Sequence, residues 1–129
     1  MKDETKRWMD YAEENLKVAS LALGNGLLNA CLQNAQQAVE KGLKALIIER
    51  GLEFRRVHRI RELAALVAAE LPAEFISEEE GDLMDAIYIP SKYPALSVMP
   101  DTMPDGGTCE RALGIARKAL EKIRERLSS

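Results

Sequence analysis

The segment LLNACLQNAQQAVEKGLKALIIER, residues 27–50, has the longest uninterrupted helical pattern in this chain. Its apolar side chains recur at every third or fourth position, which places them on one face of an α-helix. That face consists of Leu28, Leu32, Ala35, Val39, Leu43 and Ile47. Gly51 follows directly and suits the left-handed conformation in which helices often end. The sequence therefore predicts a helix over residues 27–50 that is buried along one side.

Four other segments repeat this rhythm of apolar residues. The predicted helices span residues 3–23, 60–71, 78–89 and 105–127. Glycines or prolines interrupt the pattern between them, as expected at helix ends. Short early connections favour antiparallel neighbours. We therefore expect an all-α fold, an antiparallel up-down helical bundle of four to five helices, in a single domain over residues 1–129.

Two local signals mark the ends of the fourth helix. Ser77 and Glu80 have the spacing of a capping box, in which each side chain bonds the other's backbone amide. Pro90 is expected to end the helix because proline has no amide hydrogen. Residues 90–107 are rich in proline and glycine, which predicts a long loop before the last helix.

Composition narrows the class of protein. Of the 129 residues, 47% are hydrophobic and 30% are charged, as in globular domains. A net charge of −3 gives no overall attraction to nucleic acid or to anionic membranes. The sequence contains neither a membrane-spanning apolar run nor a secretory signal in its first residues. We expect a cytoplasmic protein, away from membranes, in which the thiols of Cys31 and Cys109 are reduced.

The polar side of the longest predicted helix is rich in amides. It carries Gln33, Gln36, Gln37, Glu40, Lys41 and Lys44. Glu40 and Lys44 have the spacing and order of a stabilising ion pair within a helix. Two interpretations remain open: a solvated face of good helix formers, or a polar interface, since amides both donate and accept hydrogen bonds.

Charge is distributed unevenly along the second half of the chain. A basic segment, residues 50–61, holds five arginines and His58, whereas residues 70–85 hold seven carboxylates and no cation. Arginine forks match phosphate oxygens, but they also complement the carboxyl end of a helix without any ligand. The two segments could pair with each other, bind a charged partner, or simply be solvated.

His58 is the only histidine, which limits the chemistry available. A histidine-rich metal site is excluded, and no glycine-rich phosphate loop or paired-carboxylate motif occurs. We therefore predict neither a metal nor a cofactor. His58 either caps or packs at the start of the third helix, or acts as a general base among arginines.

Taken together, these features resemble the HEPN domain, specifically its small stand-alone members paired with minimal nucleotidyltransferases. Residues 29–45, NACLQNAQQAVEKGLKA, are similar to the family's a-x-Q-x-A-E-K-x-L-K-A core. His58 with Ile60 and Leu63 is similar to its H-x-L-x-x-L element. The sequence SKYP at residues 91–94 resembles its S-R-Y-P loop, with lysine in place of arginine.

The resemblance implies an antiparallel bundle, a homodimer and a role with RNA or nucleotides. Its ribonuclease members carry an arginine, four to six further residues and then a histidine, which together face a dimer cleft. Here seven residues separate Arg50 from His58, and two separate Arg55 from it. The chain therefore departs from the ribonuclease motif.

Two hypotheses about function follow. The preferred one is a non-catalytic module that binds a nucleotide, an RNA or a partner, as half of a two-gene, toxin–antitoxin-like system with a minimal nucleotidyltransferase encoded nearby. Its expected binding residues are Gln33, Gln36, Gln37, Glu40, Lys41, Lys44, Lys92 and Tyr93. The alternative is a divergent ribonuclease toxin whose catalytic residues are His58, Arg55 and Arg59.

Overall fold

A computed structural model describes residues 1–54, 56–72, 75–92 and 105–128, without the side chains of residues 89–92. These residues form five α-helices and no strand. The helices are α1 (Asp3–Gly24), α2 (Leu28–Glu49), α3 (Ile60–Leu66), α4 (Glu78–Lys92) and α5 (Gly106–Ser128). The predicted all-α helical bundle is thus confirmed. None of these helices is both long enough and apolar enough to cross a membrane.

The first two helices form an antiparallel hairpin, as the short connection predicted. The beginning of α1 is held against the end of α2 by Glu49, whose Oε1 accepts hydrogen bonds from the Lys2 amide and the Thr5 hydroxyl, both at 2.9 Å. The Lys2 amide, followed by the Thr5 hydroxyl, holds the pKa of Glu49 below its ordinary value. These bonds set the register in which α1 and α2 pack.

The last helix runs antiparallel to α1 but parallel to α2. Arg117 and Arg124 of α5 bond Ser20 and Glu13 of α1, so residue numbers rise in opposite directions along that pair. By contrast, Cys31 contacts Cys109, and Gly42 faces Leu120 at the same separation in sequence. The parallel pair arises because α3 and α4 return the chain to the end of the bundle where α2 began.

The core receives buried side chains from all five helices, and its largest ones come mainly from α2 and α5. The fully buried side chains include Leu43, Leu46, Ile47, Leu120 and Ile123. A Cβ atom on Gly42 would lie 2.5 Å from Leu120 Cδ2, so glycine allows the close approach of these helices. Cys31 and Cys109 are free and buried in this core, and burial raises the pKa of Cys31 to about 11.

The third helix is shorter than predicted. It ends at Leu66 instead of residue 71, and residues 67–70 form turns. The amides of Val67 and Glu70 each bond a carbonyl three residues back, which is tighter than α-helical geometry. The tightened turns bury Val67 and Leu71 in the core, so packing overrides the helical periodicity here.

The fourth helix begins as predicted but does not end at Pro90. At its start, the Ser77 amide donates to Glu80 Oε1 at 2.9 Å and the Glu80 amide donates to Ser77 Oγ at 3.1 Å, which confirms the capping box. The helix continues through Pro90 to Lys92. Pro90 has no amide hydrogen, so the last turn of α4 forms without the bond to the carbonyl four residues earlier. Most of the predicted loop, residues 93–104, lies outside the described residues.

Candidate binding site

The amide-rich side of α2 is largely buried, so the interpretation as a solvated face is wrong. Gln36, Glu40 and Lys44 are exposed by only 1%, 5% and 4%. They follow one another at intervals of four residues and therefore lie in a row along α2. Gln33 and Gln37, from the same predicted set, are half-buried at its edge.

Hydrogen bonds connect this row into one chain. Gln37 Nε2 donates to Gln36 Oε1 at 2.8 Å, and Gln36 Nε2 donates to Glu40 Oε1 at 3.3 Å. Lys44 Nζ donates to the other carboxylate oxygen, Glu40 Oε2, at 3.0 Å. The predicted ion pair of Glu40 and Lys44 is thus present, but it is buried and not on the surface. Among the described residues, every buried side-chain nitrogen and oxygen atom has a hydrogen-bond partner.

His58 completes this arrangement from the loop before α3. Its Nδ1 lies 3.1 Å from Lys44 Nζ and 3.4 Å from Glu40 Oε2. Its ring lies nearly parallel to that of Tyr88 on α4, with centroids 6.0 Å apart. We call Gln36, Glu40, Lys44 and His58 the polar cluster.

Lys44 favours one of the two neutral tautomers of His58. An ammonium group only donates hydrogen bonds, so a bond between Lys44 and the neutral ring requires Nδ1 to accept. The proton is then on Nε2, at the other side of a side chain that is 44% exposed. A neutral His58 in this state presents a hydrogen-bond donor to solvent and not a base. Glu40 accepts from Nδ1 when that nitrogen carries a proton, either in the other neutral tautomer or in the doubly protonated ring.

Two aromatic rings enclose the buried ammonium group. Lys44 Nζ lies 5.6 Å from the centroid of Trp8 and 5.2 Å from that of Phe54, within the range of cation–π attraction. The two rings pack edge to face, with centroids 5.8 Å apart. Together with Glu40 and His58, the rings replace water around the lysine, which is why a charged group can be buried here.

Of the interpretation that His58 caps or packs at the start of the third helix, the packing is present, against Tyr88 and Lys44, but His58 does not cap α3. That helix is capped from α4 instead, because Asp85 Oδ1 accepts the Ile60 amide at 2.6 Å. Burial raises the pKa of Asp85, although the bonds from the Ile60 and Arg61 amides act in the opposite direction. Asp85 therefore ties α4 to the beginning of α3 and so positions the loop that carries His58.

The basic and acidic segments pair with each other within the molecule. Arg50 Nε lies 2.6 Å from Glu70 Oε1, and Arg61 Nη1 lies 2.8 Å from Asp82 Oδ1. Lys118 of α5 neutralises Glu80 at 2.9 Å. Arg50 and Arg61 of the basic segment are thus paired with carboxylates of the acidic segment, whereas Arg56 and Arg59 are exposed.

The remaining predicted site residues are dispersed. Lys41 points toward α1, where its Nζ donates to Asn15 Oδ1 at 2.8 Å and lies 5.5 Å from the Tyr11 centroid. Arg59 is exposed directly before α3. Lys92 is the last residue of α4, and its side chain is not described. Arg55 and Tyr93 lie outside the described residues.

Sequence reasoning missed the residues that surround the polar cluster. Phe54, Tyr88 and Asp85 come from a loop and from α4, and no spacing in the sequence connects them with α2. Trp8 of α1 likewise has no spacing in the sequence that connects it with the polar cluster. For the aromatic residues among them, the sequence offers one signal: aromatic residues are so few in this chain that each one is a candidate for a specific contact. Within the described ranges, no three His, Cys, Asp or Glu side chains are arranged to hold a metal ion.

The chain thus folds as a helical bundle with an amide-rich second helix and a histidine loop packed against it. The HEPN domain family model matches residues 5–126, and the chain belongs to the HEPN family.

Two solved structures have the same fold. The crystal structure of TT1696 from Thermus thermophilus is 31% identical with a TM-score of 0.77, covering 97% of this chain and 99% of that one. The structure of ST0689, an archaeal HEPN homologue, is 25% identical with a TM-score of 0.76, covering 97% and 98%. No curated protein sequence matches this chain.

Proposed function

We propose that this protein is a non-catalytic HEPN binding module and that it acts as a homodimer beside a minimal nucleotidyltransferase encoded nearby, in a toxin–antitoxin-like pair. One observation carries the proposal: Lys44 Nζ lies 3.1 Å from His58 Nδ1. The bond makes the only histidine of the chain part of a buried network, and the tautomer that keeps this bond has its outer nitrogen protonated. A neutral imidazole with a protonated outer nitrogen cannot accept a proton from a ribose hydroxyl there.

The edge of the polar cluster supports a role in binding. Gln33, Gln37 and Lys41 are half-buried along α2, so part of each side chain is open to solvent above a rigid buried row. Amides combine donors and acceptors and can pair with a peptide backbone or the edge of a base. A fixed second layer below such groups keeps them in position for a partner.

Coexpression tests the proposal. The chain is expressed together with the nucleotidyltransferase protein encoded next to it, and one of the two carries an affinity tag. The molar mass of the purified material is then measured by light scattering. We expect a stable complex that Gln37→Arg weakens, because the larger cation disrupts the amide edge. Lys122→Glu, on the exposed side of α5, is the matched control and should leave the complex intact.

The outcome that contradicts this function is defined by two measurements together. If coexpression yields no complex, and titration of ATP into the purified chain produces no heat, the binding module is excluded. If the complex forms and Gln37→Arg does not weaken it, the proposed function stands, but the interface does not include this edge of α2.

A ribonuclease toxin is the second candidate, and one contact favours it. Glu40 Oε2 lies 3.4 Å from Nδ1 of a partly exposed histidine, which resembles a carboxylate that orients a catalytic imidazole. Arg59, and Arg55 from outside the described residues, would bind phosphate. This mechanism requires that the hydrogen bond from Lys44 to Nδ1 break, so that Nδ1 carries a proton and donates it in a hydrogen bond to Glu40.

Expression in bacteria distinguishes the two candidates. A ribonuclease should arrest growth, His58→Ala should relieve the arrest, and purified protein should cleave RNA. Lys44→Met should change that cleavage by leaving Nδ1 to Glu40 alone, whereas in a binding module it affects only stability. RNA that stays intact over a range of pH would exclude the ribonuclease.

A further inference from the structure

The first turns of α2 and α5 carry the only two cysteines of the chain. Cys31 is the fourth residue of α2 and Cys109 is the fourth residue of α5, and both side chains are fully buried. Cys31 Sγ lies 3.9 Å from the Cys109 carbonyl oxygen, and Cys109 Sγ lies 3.4 Å from the Leu28 carbonyl oxygen. Each thiol therefore contacts the backbone of the opposite helix, and the two thiols also form a hydrogen bond with each other. We call Cys31 and Cys109 the thiol pair.

The parallel packing of α2 and α5 holds the thiol pair together. The two cysteines are 78 positions apart in the sequence, and the same separation brings Gly42 against Leu120 further along the helices. Helices approach each other more closely where the side chains at their contact are small. The fully buried residues between these two contacts include two alanines on each helix, namely Ala35, Ala38, Ala112 and Ala116. The thiol pair thus lies in a long, close contact and not at an isolated crossing point of the helices.

This arrangement suits a disulfide. A bridge between two cysteines forms without backbone movement only where their Cα atoms lie within about 7 Å and their side chains point toward each other. Here each sulfur atom reaches the backbone of the opposite helix, so the two side chains already span the space between α2 and α5. The sulfur atoms can then be joined by rotation of the side chains, without a shift of one helix against the other.

Burial protects the thiol pair from oxidation in the closed bundle. It raises the pKa of both thiols, that of Cys31 to about 11, and a protonated thiol is a poor nucleophile. The hydrogen bond from Cys31 acts in the opposite direction on the pKa of Cys109 and favours its thiolate. Cys109 is therefore the sulfur that reacts first when the first turn of α2, which begins without a side-chain cap, opens to solvent.

We propose that the thiol pair is a redox switch, which hydrogen peroxide closes into a disulfide between α2 and α5. The thiolate of Cys109 attacks one peroxide oxygen, the O–O bond breaks, and hydroxide leaves and takes up a proton to give water. The Cys31 sulfur then attacks the sulfenic acid on Cys109, the S–O bond breaks, and a second water leaves. Altogether the two thiols lose two hydrogen atoms with their electrons, and one peroxide is reduced to two molecules of water.

The switch acts on stability. The bridge joins residues 78 positions apart, and a cross-link over so long a loop strongly restricts the unfolded chain. The oxidised form should therefore unfold less readily than the reduced form, so that the protein persists longer under peroxide stress. This effect is independent of the proposed function, since it involves neither the polar cluster nor a partner.

Mass spectrometry of the full-length protein tests the proposal. Reduced protein is incubated with hydrogen peroxide, and its free thiols under denaturing conditions and its intact mass are measured. We expect the mass to fall by two hydrogen atoms, both thiols to disappear, and digestion to yield a peptide pair that joins Cys31 to Cys109. Dithiothreitol should reverse these changes. The five methionines of the chain provide an internal control, because their oxidation adds oxygen and is not reversed by dithiothreitol.

Urea unfolding measures the effect of the switch. The oxidised protein should have a urea midpoint higher by about 1 M or more than the reduced protein. Cys31→Ala and Cys109→Ala are matched controls, because each keeps a small buried side chain and removes one sulfur atom. Neither variant should gain stability on oxidation, and in Cys31→Ala the sulfenic acid should persist on Cys109, where dimedone traps it. If an alanine variant does not fold, the comparison of oxidised with reduced unmodified protein still decides the question.

Three results would overturn this inference, and none of them bears on the proposed function. Thiols that stay free after long exposure to peroxide would show that the pair does not react. Covalent dimers on non-reducing gels would show that sulfur atoms of different chains are joined instead. A disulfide that leaves the urea midpoint unchanged, or lowers it, would show that the bridge does not lock α2 to α5.

Discussion

At the scale of single residues, the polar cluster shows why charged side chains can lie inside this small bundle. Glu40 and Lys44 form an ion pair at 3.0 Å, and their remaining partners are Gln36, His58 and the rings of Trp8 and Phe54. Coulomb attraction, hydrogen bonds and aromatic contacts together offset the loss of water. The cluster is therefore stable as a unit, and its members depend on one another.

This dependence predicts a marked loss of stability when one charge is removed. Glu40→Leu leaves a buried ammonium without its carboxylate and should lower the free energy of unfolding by about 3–5 kcal/mol. Adding Lys44→Met removes the uncompensated charge and should restore a large part of that loss. Urea unfolding of the single and double variants measures both values. If the double variant is no more stable than Glu40→Leu alone, the two residues are not coupled as described.

At the scale of helices, the packing of α2 on α5 depends on one glycine. The nearest atoms to a Cβ on Gly42 would be Leu120 Cδ2 at 2.5 Å and Ile123 Cδ1 at 3.1 Å, both in the core, whereas a Cβ on Gly114 would meet nothing within 4 Å. Both glycines lie inside helices, so an alanine gains the same propensity at each. We expect Gly42→Ala to be less stable than Gly114→Ala by about 1–3 kcal/mol, because only the first overfills the core. Thermal unfolding of the two variants makes the comparison, and equal melting temperatures would contradict it.

The beginning of α4 predicts a dependence on pH. Burial tends to raise the pKa of Glu80, but the Ser77 amide and Lys118 outweigh it and hold that pKa below its ordinary value. For an acid whose pKa is lowered by folding, the stabilisation is complete above the unfolded-state pKa, near 4.3, and is lost as the pH falls through the folded-state value.

Glu80→Gln should therefore be less stable than the unmodified protein at pH 7 and nearly equal to it in strong acid. Urea midpoints measured across this pH range test the prediction. Glu79→Gln is the control on the same turn, since the Glu79 side chain is 90% exposed and lies 3.9 Å from Arg111. A similar pH response in both variants would show that the bonds of Glu80 do not cause the effect.

At the scale of the whole molecule, ion pairs between residues far apart in sequence hold neighbouring elements of the bundle together. Arg50 at the end of α2 pairs with Glu70 after α3, and Arg61 of α3 pairs with Asp82 of α4. Arg50 and Arg61 of the basic segment therefore serve the fold.

Exchanging the charges of one pair tests that role. Arg50→Glu alone places two carboxylates together and should destabilise the protein by about 1 kcal/mol, and Glu70→Arg alone should do the same. The double exchange restores opposite charges and should recover most of the loss, as measured by urea unfolding in low salt. Additive losses in the double variant would mean that the pair does not hold α2 to the turn after α3.

The sequence by itself determined the helices and the family, because periodic apolar residues and helix caps act locally along the chain. Each of these features lies within a few turns of a single helix. The capping box at Ser77 belongs to α4, and the ion pair of Glu40 with Lys44 and the pattern of residues 29–45 belong to α2. Even locally, two helix ends were predicted wrongly. The end of α3 depends on the packing of Val67 and Leu71 in the core. The fourth helix continues past Pro90, where the local proline signal predicted its end.

Only the tertiary structure decided where the polar groups lie. Helical spacing puts Gln36, Glu40 and Lys44 in a row, but burial depends on which elements cover that row, and the cover comes from Trp8, Phe54 and His58. The same applies to Lys41, whose contacts with Asn15 and Tyr11 join the middle of α2 with α1. Contacts between residues this far apart in sequence follow from the packing of whole helices, so no local pattern could have specified them.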